Sequence, residues 1–234
     1  MLALAAPAAE DGWAAETLRY RVRAREKPKF HTILDAKHVF GPGGGVATVT
    51  TRTRAPVMGE VAAEIAVTLD AGGVHMEDRL ECVWQNGLVA GRLMRVVGEA
   101  RKKEIDFTKN PFPLPISTYP EVLLPFLMRA QPLDGRRRAL YAWTSDRFVA
   151  RVYYESRSTM DLDLPAGKLR GTEVWMYPDL NDWVKMGTAL TKLAKPFLPR
   201  YSMWYEPAAP NRLLRFEGSY GPPGAPEIIL ELVA

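Results

Sequence analysis

The 234-residue sequence contains a single cysteine and three histidines, and it lacks any long run of apolar residues. With only Cys82, the chain has no intrachain disulfide and no cysteine-based zinc site. The extended stretch around it, MEDRLECVW, favours a small buried residue over a reactive thiol. No stretch approaches the roughly 18 consecutive apolar residues that a membrane-spanning helix needs.

The usual motifs of hydrolases, nucleotide-binding proteins and zinc proteins are also missing. No serine lies in a G-x-S-x-G stretch, and no G-K-[ST] follows the glycine-rich residues 41–45. His31 and His38 are seven residues apart, which matches no standard zinc spacing. His75 and Glu77 would project from one strand face, but an obvious third ligand is lacking. The sequence therefore predicts no metal and no cofactor.

The charge balance is mildly basic, with 31 lysine and arginine residues against 27 aspartate and glutamate residues. A net charge of +4 is common without an anionic partner, so we predict no specific nucleic-acid partner. The balance does permit peripheral contact with an anionic membrane. The arginines at 136–138 follow Asp134-Gly135 and are interpreted as a solvated hairpin tip. No sequence feature fixes an oligomeric state.

The first 15 residues differ from the rest of the chain. MLALAAPAAEDG is small and apolar before it becomes acidic, and Ala6-Pro7-Ala8 resembles the small-residue end of a signal peptide. The basic start and full apolar stretch of such a signal are missing. We interpret residues 1–15 as a signal-peptide remnant or a disordered tail, and residues 16–234 as a single β-rich domain. A remnant predicts export to the periplasm or cell envelope, and a plain tail leaves a cytoplasmic protein as the alternative.

Alternation of apolar and polar residues, the pattern of a half-buried strand, dominates the chain. TLRYRVRAR alternates four apolar residues with four arginines. Residues 148–164, FVARVYYESRSTMDLDL, form the longest alternation and predict a strand that bends or breaks near Ser156. Pro165-Ala166-Gly167 predicts a tight turn after this strand. RLLRFEG and EIILELVA predict a closing hairpin with Ile228, Leu230 and Leu232 directed into the core.

Two helices interrupt the predicted strands. Thr118-Tyr119-Pro120-Glu121 predicts a capping box, and Pro125 keeps the helix that follows short or kinked. The second helix begins near residues 179–181 and carries apolar residues at spacings of three and four until Pro196 and Pro199. The fold class predicted from these elements is mainly β: a strongly curved antiparallel sheet or half-barrel with two short helices, one laid over the sheet.

The order of these elements resembles a domain-of-unknown-function family of exported, β-rich bacterial proteins. The likeness begins near Thr17 and includes YPEVLLPFLMRAQPLDG, LPAGKLRGTEVWM and RLLRFEGSYGPPGAPEIILEL. In that family a Pro-Ala-Gly turn joins two long strands and the closing strand ends in Glu-Leu, which match residues 165–167 and Glu231-Leu232. The predicted second helix departs from this pattern. The resemblance implies a curved antiparallel sheet, export to the envelope and no established catalytic residues. The architecture is also distantly similar to that of envelope carriers that shelter lipid chains in a half-barrel.

Large apolar and aromatic residues are concentrated between residues 175 and 205. A helix laid across the mouth of a curved sheet would bring several of them together around an apolar, ligand-sized pocket. The predicted ligand-binding residues are Trp175, Trp183, Met186, Leu190, Phe197 and Trp204. The same residues equally fit a satellite core beneath the helix, without a ligand.

Three functions are open from the sequence. The favoured one is a non-catalytic envelope protein that binds a hydrophobic small molecule, a lipid or a lipidated partner in a cavity of the curved sheet. The alternative is a β-barrel enzyme that uses Tyr153, Glu155, Asp161 or Asp163 as acid or base, which requires their side of the strand to face inward. The third is a scaffold or assembly domain without a small-molecule ligand.

Overall fold

The computed structural model describes residues 13–24, 45–57, 60–71, 74–85, 88–97, 101–106, 115, 117–145, 148–179, 200–219 and 227–234. Within these ranges, thirteen strands form one curled, mixed sheet, a half-barrel, which confirms the predicted fold class. The strands are β1 (Trp13–Ala24), β2 (Gly45–Val57), β3 (Glu60–Ala71), β4 (Val74–Gln85), β5 (Leu88–Val97), β6 (Arg101–Asp106), β7 (Thr118–Pro120), β8 (Arg138–Ser145), β9 (Phe148–Leu164), β10 (Gly167–Pro178), β11 (Tyr201–Tyr205), β12 (Leu213–Ser219) and β13 (Glu227–Leu232).

The strand order shows how the two ends of the described chain meet. It runs β6-β5-β4-β3-β2-β1-β13-β12-β11-β10-β9-β8-β7, so two series of neighbouring strands join where β1 pairs with β13. The described pairs are antiparallel, as predicted, apart from the parallel pair of β7 and β8. Strands β12 and β13 form the predicted closing hairpin, in which Ile228, Leu230 and Leu232 are at most 1% exposed.

The alternation in β1 defines the two faces of the sheet. Leu18, Tyr20 and Val22 are buried, whereas the alternate residues of this strand, Arg19, Arg21 and Arg23, are exposed, as the sequence predicted. We call the side of the buried residues the core face and the opposite side the outer face. Because cross-strand partners project from the same side of a sheet, the register carries both faces from β1 through β13 to β8.

The long strand β9 runs without interruption over 17 residues, and its irregularity lies in the pairing with β10. Thr172 pairs with Thr159 but Val174 pairs with Ser156, so the register shifts by one residue. The predicted break near Ser156 is therefore wrong, and a register shift in the pairing with β10 lies at this position instead. Before this shift the buried position of β10 is the odd-numbered Gly171, and after it the buried positions are even-numbered, beginning with Val174. The change keeps both ends of the long strand packed on the same core face.

A helical segment at residues 121–130 covers part of the core face. It consists of helix α1 (Leu124–Leu127) between two 3₁₀ turns, Glu121–Leu123 and Met128–Ala130. It packs against β7, β8 and β12, and the buried Tyr205 hydroxyl donates a hydrogen bond of 2.5 Å to the Pro125 carbonyl. The buried Arg129 guanidinium pairs with Glu16 of β1 and donates to the Pro210 carbonyl at 2.9 Å. The segment is thus held to β1, to β11 and to the chain before β12.

The predicted capping box at this segment is wrong. Thr118, Tyr119 and Pro120 form β7, which pairs with residues 141–143 of β8. The Thr118 hydroxyl donates to the Pro115 carbonyl at 2.6 Å, and helix α1 has no side-chain cap. Parallel pairing with β8 thus replaces the local cap that the sequence pattern suggested. The predicted second helix lies outside the described residues.

Apolar length gives one further result. Among the described residues, no helix has both the length and the apolar character required to cross a membrane.

The turn between β9 and β10 yields a first prediction. Leu164 pairs with Gly167, whose φ of +110° lies in the region that favours glycine. We expect Gly167→Ala to lower the free energy of unfolding by about 1 kcal/mol through backbone strain, because a Cβ there would meet no atom within 4 Å. Urea unfolding followed by circular dichroism measures the effect. Ala166→Ser, at the exposed neighbouring position, is the control, and an equal loss from both changes would contradict the explanation.

Candidate functional site

The described part of the predicted pocket consists of Trp175 on β10 and Trp204 on β11, and these two tryptophans lie on the outer face. Trp175 pairs with Ser202, and Trp204 pairs with Glu173. Val174, on the alternate position of β10, is 0% exposed and belongs to the core face. The other predicted pocket residues, Trp183, Met186, Leu190 and Phe197, lie outside the described residues. A pocket formed by all six stays a prediction, and its two described members do not line the core face.

Trp204 is the more buried of the two tryptophans, with an exposure of 8%. The Arg215 guanidinium lies 5.5 Å from the centre of its ring, and Arg215 is also its cross-strand partner on β12. Its indole Nε1 is buried and has no hydrogen-bond partner among the residues that the structure describes. An indole held this way contributes mainly through packing.

Trp175 lies in a cluster of aromatic rings and guanidinium groups that we call the cation–aromatic cluster. Its members are Arg137, Tyr153, Arg157, Trp175, Tyr177 and Arg200. The Arg157 and Arg200 guanidinium carbons lie 4.3 Å and 4.0 Å from the centre of the Trp175 ring. The Trp175 Nε1 donates a hydrogen bond of 2.6 Å to the Glu173 carboxylate. The Trp175 ring is therefore held at its edge by the hydrogen bond to Glu173 and near its centre by two guanidinium groups.

The second half of this cluster is built on the pair Tyr153 and Tyr177, which are cross-strand partners on β9 and β10. Their ring centres are 6.1 Å apart, and the Arg137 guanidinium lies 3.8 Å from Tyr153 and 5.5 Å from Tyr177. The Tyr153 hydroxyl donates to the buried Asp179 carboxylate at 2.9 Å. Burial, followed by the nearby Glu155 charge, raises the pKa of Tyr177 above 10.0, so its hydroxyl is protonated at neutral pH.

The interpretation of residues 136–138 as a hairpin tip is corrected by this arrangement. These residues join the helical segment to β8, and Arg138 is the first residue of that strand. Arg138 pairs with Asp134 at 2.7 Å, whereas Arg137 stacks on the rings. The signal in the sequence was the pair of aromatic residues at alternate positions 175 and 177, but only the register brings Tyr177 next to Tyr153, where both rings contact Arg137.

The residues of the enzyme hypothesis also lie on the outer face. Asp161 and Asp163 are exposed and pair across the strands with Arg170 and Lys168. Glu155 accepts a hydrogen bond of 2.6 Å from Arg157. Acid–base chemistry inside a barrel requires these side chains to face inward. This face of the strand does not meet that requirement. Within the described ranges, no group of three or more histidine, cysteine or acidic side chains is arranged to hold a metal ion.

The core face beneath the helical segment is closely packed and rich in tyrosine. Tyr20 and Tyr205 are 0% exposed, and the Tyr20 hydroxyl donates to the Leu213 carbonyl at 2.9 Å. Burial raises the pKa of Tyr154 to about 12, and desolvation acts in the same direction on Tyr20 and Tyr205, whose pKa values are also raised. The Tyr20 and Tyr205 hydroxyls donate to backbone carbonyls, and the side chains around them are buried, so this side of the half-barrel is a filled core.

The register extends apolar residues beyond this filled core, across β2 to β6. One row pairs Tyr20 with Ala47, Ala47 with Leu69, Leu69 with Met76, and Met76 with Val97. A second row pairs Ile65 with Leu80, Leu80 with Leu93, and Leu93 with Ile105. The first row begins at a residue of the core face. The helical segment packs against β7, β8 and β12, and β7 also contacts β5.

An arginine clamp lies where the two series of strands join. The Glu231 carboxylate of β13 is 2% exposed and accepts charge-assisted contacts from Arg21 at 2.7 Å, Arg23 at 3.2 Å and Arg215 at 3.5 Å. Burial by itself raises the pKa of Glu231, but the hydrogen bonds from Arg23 and Arg21 outweigh it and lower the pKa below 4.5. The Glu-Leu ending of the closing strand therefore has a structural role.

Comparison with known proteins identifies no family. No protein-family model and no curated protein matches the chain. The crystal structure of a predicted lipoprotein from Parabacteroides distasonis has a TM-score of 0.38 and 12% identity, over 97% of this chain and 95% of the other. That of a predicted exported protein with a YmcC-like fold from Bacteroides fragilis has a TM-score of 0.34 and 13% identity, over 95% of this chain and 94% of the other. With TM-scores below 0.5, these likenesses carry no inference about a ligand.

Proposed function

We propose that this is a non-catalytic protein that binds a hydrophobic, lipid-like ligand along β2 to β5. The observation that carries the proposal is the continuation of apolar register rows from the core face of β1 into β2 to β5. A continuous apolar wall in a half-barrel is a usual setting for a hydrophobic ligand.

The filled part of the half-barrel supports this assignment by supplying a rigid wall. Tyr205 and Arg129 tie the helical segment to β11, to β1 and to the chain before β12 through buried polar contacts. A ligand would therefore meet a fixed boundary at β1 instead of displacing the segment. A binding-competent surface that is formed in advance loses less conformational entropy on association.

The compartment proposed for this function is the cell envelope. It rests on the resemblance of Ala6-Pro7-Ala8 to the small-residue end of a signal peptide. The predicted second helix, with Trp183 and its apolar neighbours, is proposed as a cover over the ligand. Replacing Trp183 with alanine tests the proposed cover. Unchanged ligand affinity in a folded variant would contradict it.

The first experiment identifies what the protein carries. Native mass spectrometry of the full chain, followed by organic extraction and lipid analysis, is expected to show a co-purifying acyl or polycyclic lipid. Added palmitate is then expected to bind in equal molar amount. A protein that carries no lipid and binds neither palmitate nor phospholipid would contradict the proposed function and favour the scaffold alternative.

The single cysteine allows the binding position to be tested. Cys82 pairs with Ala63 and Gly91 and lies two residues from Leu80, at the same alternation as the apolar rows of β4. We expect saturating palmitate to slow alkylation of Cys82 by N-ethylmaleimide at least tenfold, because the ligand blocks access. Mass spectrometry of the labelled protein gives the rate.

A matched control moves the thiol by one residue. In the Cys82→Ala, Glu81→Cys variant the thiol takes the alternate position, which pairs with Glu64 and Arg92. Its alkylation rate is expected to change less than twofold with palmitate. Equal protection at both positions, or bound palmitate with no protection of Cys82, would place the ligand elsewhere.

A further inference from the structure

Two exposed guanidinium groups of the cation–aromatic cluster, those of Arg137 and Arg200, can form an ion pair. Each stacks on an aromatic ring, and neither has a carboxylate partner among the residues that the structure describes. Neighbouring arginines differ in this respect, because Arg138 pairs with Asp134 and Arg157 pairs with Glu155. No described carboxylate therefore competes for the N–H donors of these two groups, which can bind an anionic partner.

The rings hold these two cations in place before any partner arrives. Arg137 lies 3.8 Å from the Tyr153 ring centre, and Arg200 lies 4.0 Å from that of Trp175. Trp175 is itself fixed by its hydrogen bond to Glu173, and Tyr153 by its bond to Asp179. A stacked guanidinium loses less side-chain freedom when it pairs with a carboxylate, so such a pair is stronger than one on a mobile arginine.

The sheet sets the spacing of the aromatic residues that hold the two cations. Arg137 lies beside Tyr177 and Arg200 beside Trp175, and these aromatic residues are two positions apart on β10. Two residues of a strand span about 7 Å. The carboxylates of acidic residues at alternate positions in an extended polypeptide have the same spacing and project to the same side.

The surrounding charges select a partner with separate negative groups. Glu155 and Glu173 lie on the same outer face, where Glu155 is the cross-strand partner of Trp175 and Glu173 accepts the hydrogen bond of its Nε1. A uniformly anionic bilayer would be repelled by these glutamates, whereas an extended peptide can place a neutral side chain opposite each of them. Trp, Tyr and Arg are also the residue types that contribute most to protein–protein binding.

We propose that the outer face of β9 and β10 is a docking surface for an extended acidic segment of a partner protein. The segment has carboxylates at alternate positions, which pair with Arg137 and Arg200. This surface lies on the opposite side of the sheet from the core face, so the docking is separate from the proposed lipid binding.

Two peptides of identical composition test the spacing. Fluorescein-labelled TETETETE has glutamates two residues apart, whereas TEETTEET has none at that separation. We expect the full-length protein to bind TETETETE at least fivefold more tightly in fluorescence anisotropy at low ionic strength. Equal affinity for the two peptides, or no binding of either, would overturn the proposal.

Variants of the exposed arginines locate the contact. Arg137→Gln and Arg200→Gln are each expected to weaken TETETETE binding at least fivefold without a change in the melting temperature. Arg136→Gln is the matched control, because its side chain is 81% exposed beside Arg137 and is stacked on no described ring; a change below twofold is expected. An equal loss from Arg136→Gln would show general attraction of charge and overturn the proposal.

A membrane is the competing partner, and vesicles test it directly. Sedimentation with vesicles of phosphatidylcholine and phosphatidylglycerol at three to one is expected to show no dependence on Arg137 or Arg200. Vesicle binding that is lost in both glutamine variants, together with no preference for TETETETE, would assign this face to an anionic membrane instead.

Discussion

Replacing Phe216 with alanine is expected to lower the free energy of unfolding by about 4 kcal/mol. Phe216 is 1% exposed on β12, where its cross-strand partners Met203 and Leu230 are equally buried. Its ring stacks on Tyr201 with a centre-to-centre distance of 6.2 Å. The strands that surround the ring are fixed by backbone pairing on both sides, so they cannot close over the space that a truncated side chain leaves.

Urea denaturation followed by far-ultraviolet circular dichroism gives this difference. Phe216→Leu is the control, because it keeps most of the buried volume and is expected to cost less than about 1.5 kcal/mol. If the alanine variant lost no more stability than the leucine variant, the packing around β11 and β12 would have to be looser than the structure shows.

Neutralising Glu231 is the change with the second largest expected effect. Glu231→Gln leaves Arg21, Arg23 and Arg215 without the carboxylate that they share. Removing one member of a buried ion pair costs about 3–5 kcal/mol, but these arginine side chains are 23% to 55% exposed and partly regain water. We therefore expect a loss of about 2 kcal/mol in urea denaturation at neutral pH.

The pH dependence of this loss follows from the sign of the pKa shift. Because the pKa of Glu231 in the folded protein is lower than its ordinary value of 4.5, its contribution is complete above that value. It is lost as the pH falls below 4.5 towards the lower pKa of the folded state. Between about pH 5 and pH 3, the wild-type protein should thus lose more stability than Glu231→Gln.

Glu217→Gln supplies the control for the clamp. Glu217 pairs with Arg215 at 2.5 Å on the same face, so its removal leaves Arg215 with Glu231. The expected loss is below about 1 kcal/mol. If the two glutamine variants behaved alike at neutral and acid pH, the shared carboxylate would have no special role.

Local patterns in the sequence predicted much of the sheet. Alternation in β1 and β9 and the glycine at 167 each depend on a short stretch of chain, and the structure agrees with all of them. The capping box failed because residues 118–120 pair with β8, a partner some twenty residues away, which a local motif does not reveal. Tertiary pairing overrode a short-range preference.

The candidate sites were less accessible to prediction because they depend on register. Trp175 and Trp204 appear in the sequence as members of an aromatic concentration, but their side of the sheet follows from pairing with Ser202 and Glu173. The stacking of Arg137 on Tyr153 joins a loop to a strand, so no regular sequence spacing predicts this contact. The apolar rows of β2 to β6 likewise become continuous only once the strand order is known.

The joining of β1 and β13 has a consequence for the order of folding. Each of the two series of strands can form from neighbours in the chain, whereas the Arg21 to Glu231 contact brings together residues 210 positions apart. Closing so large a loop costs the most chain entropy, so we infer that this pairing forms late. Until then β1 and β13 each have an unpaired edge, through which other chains can pair and aggregate. Formation of the arginine clamp ends this stage of folding.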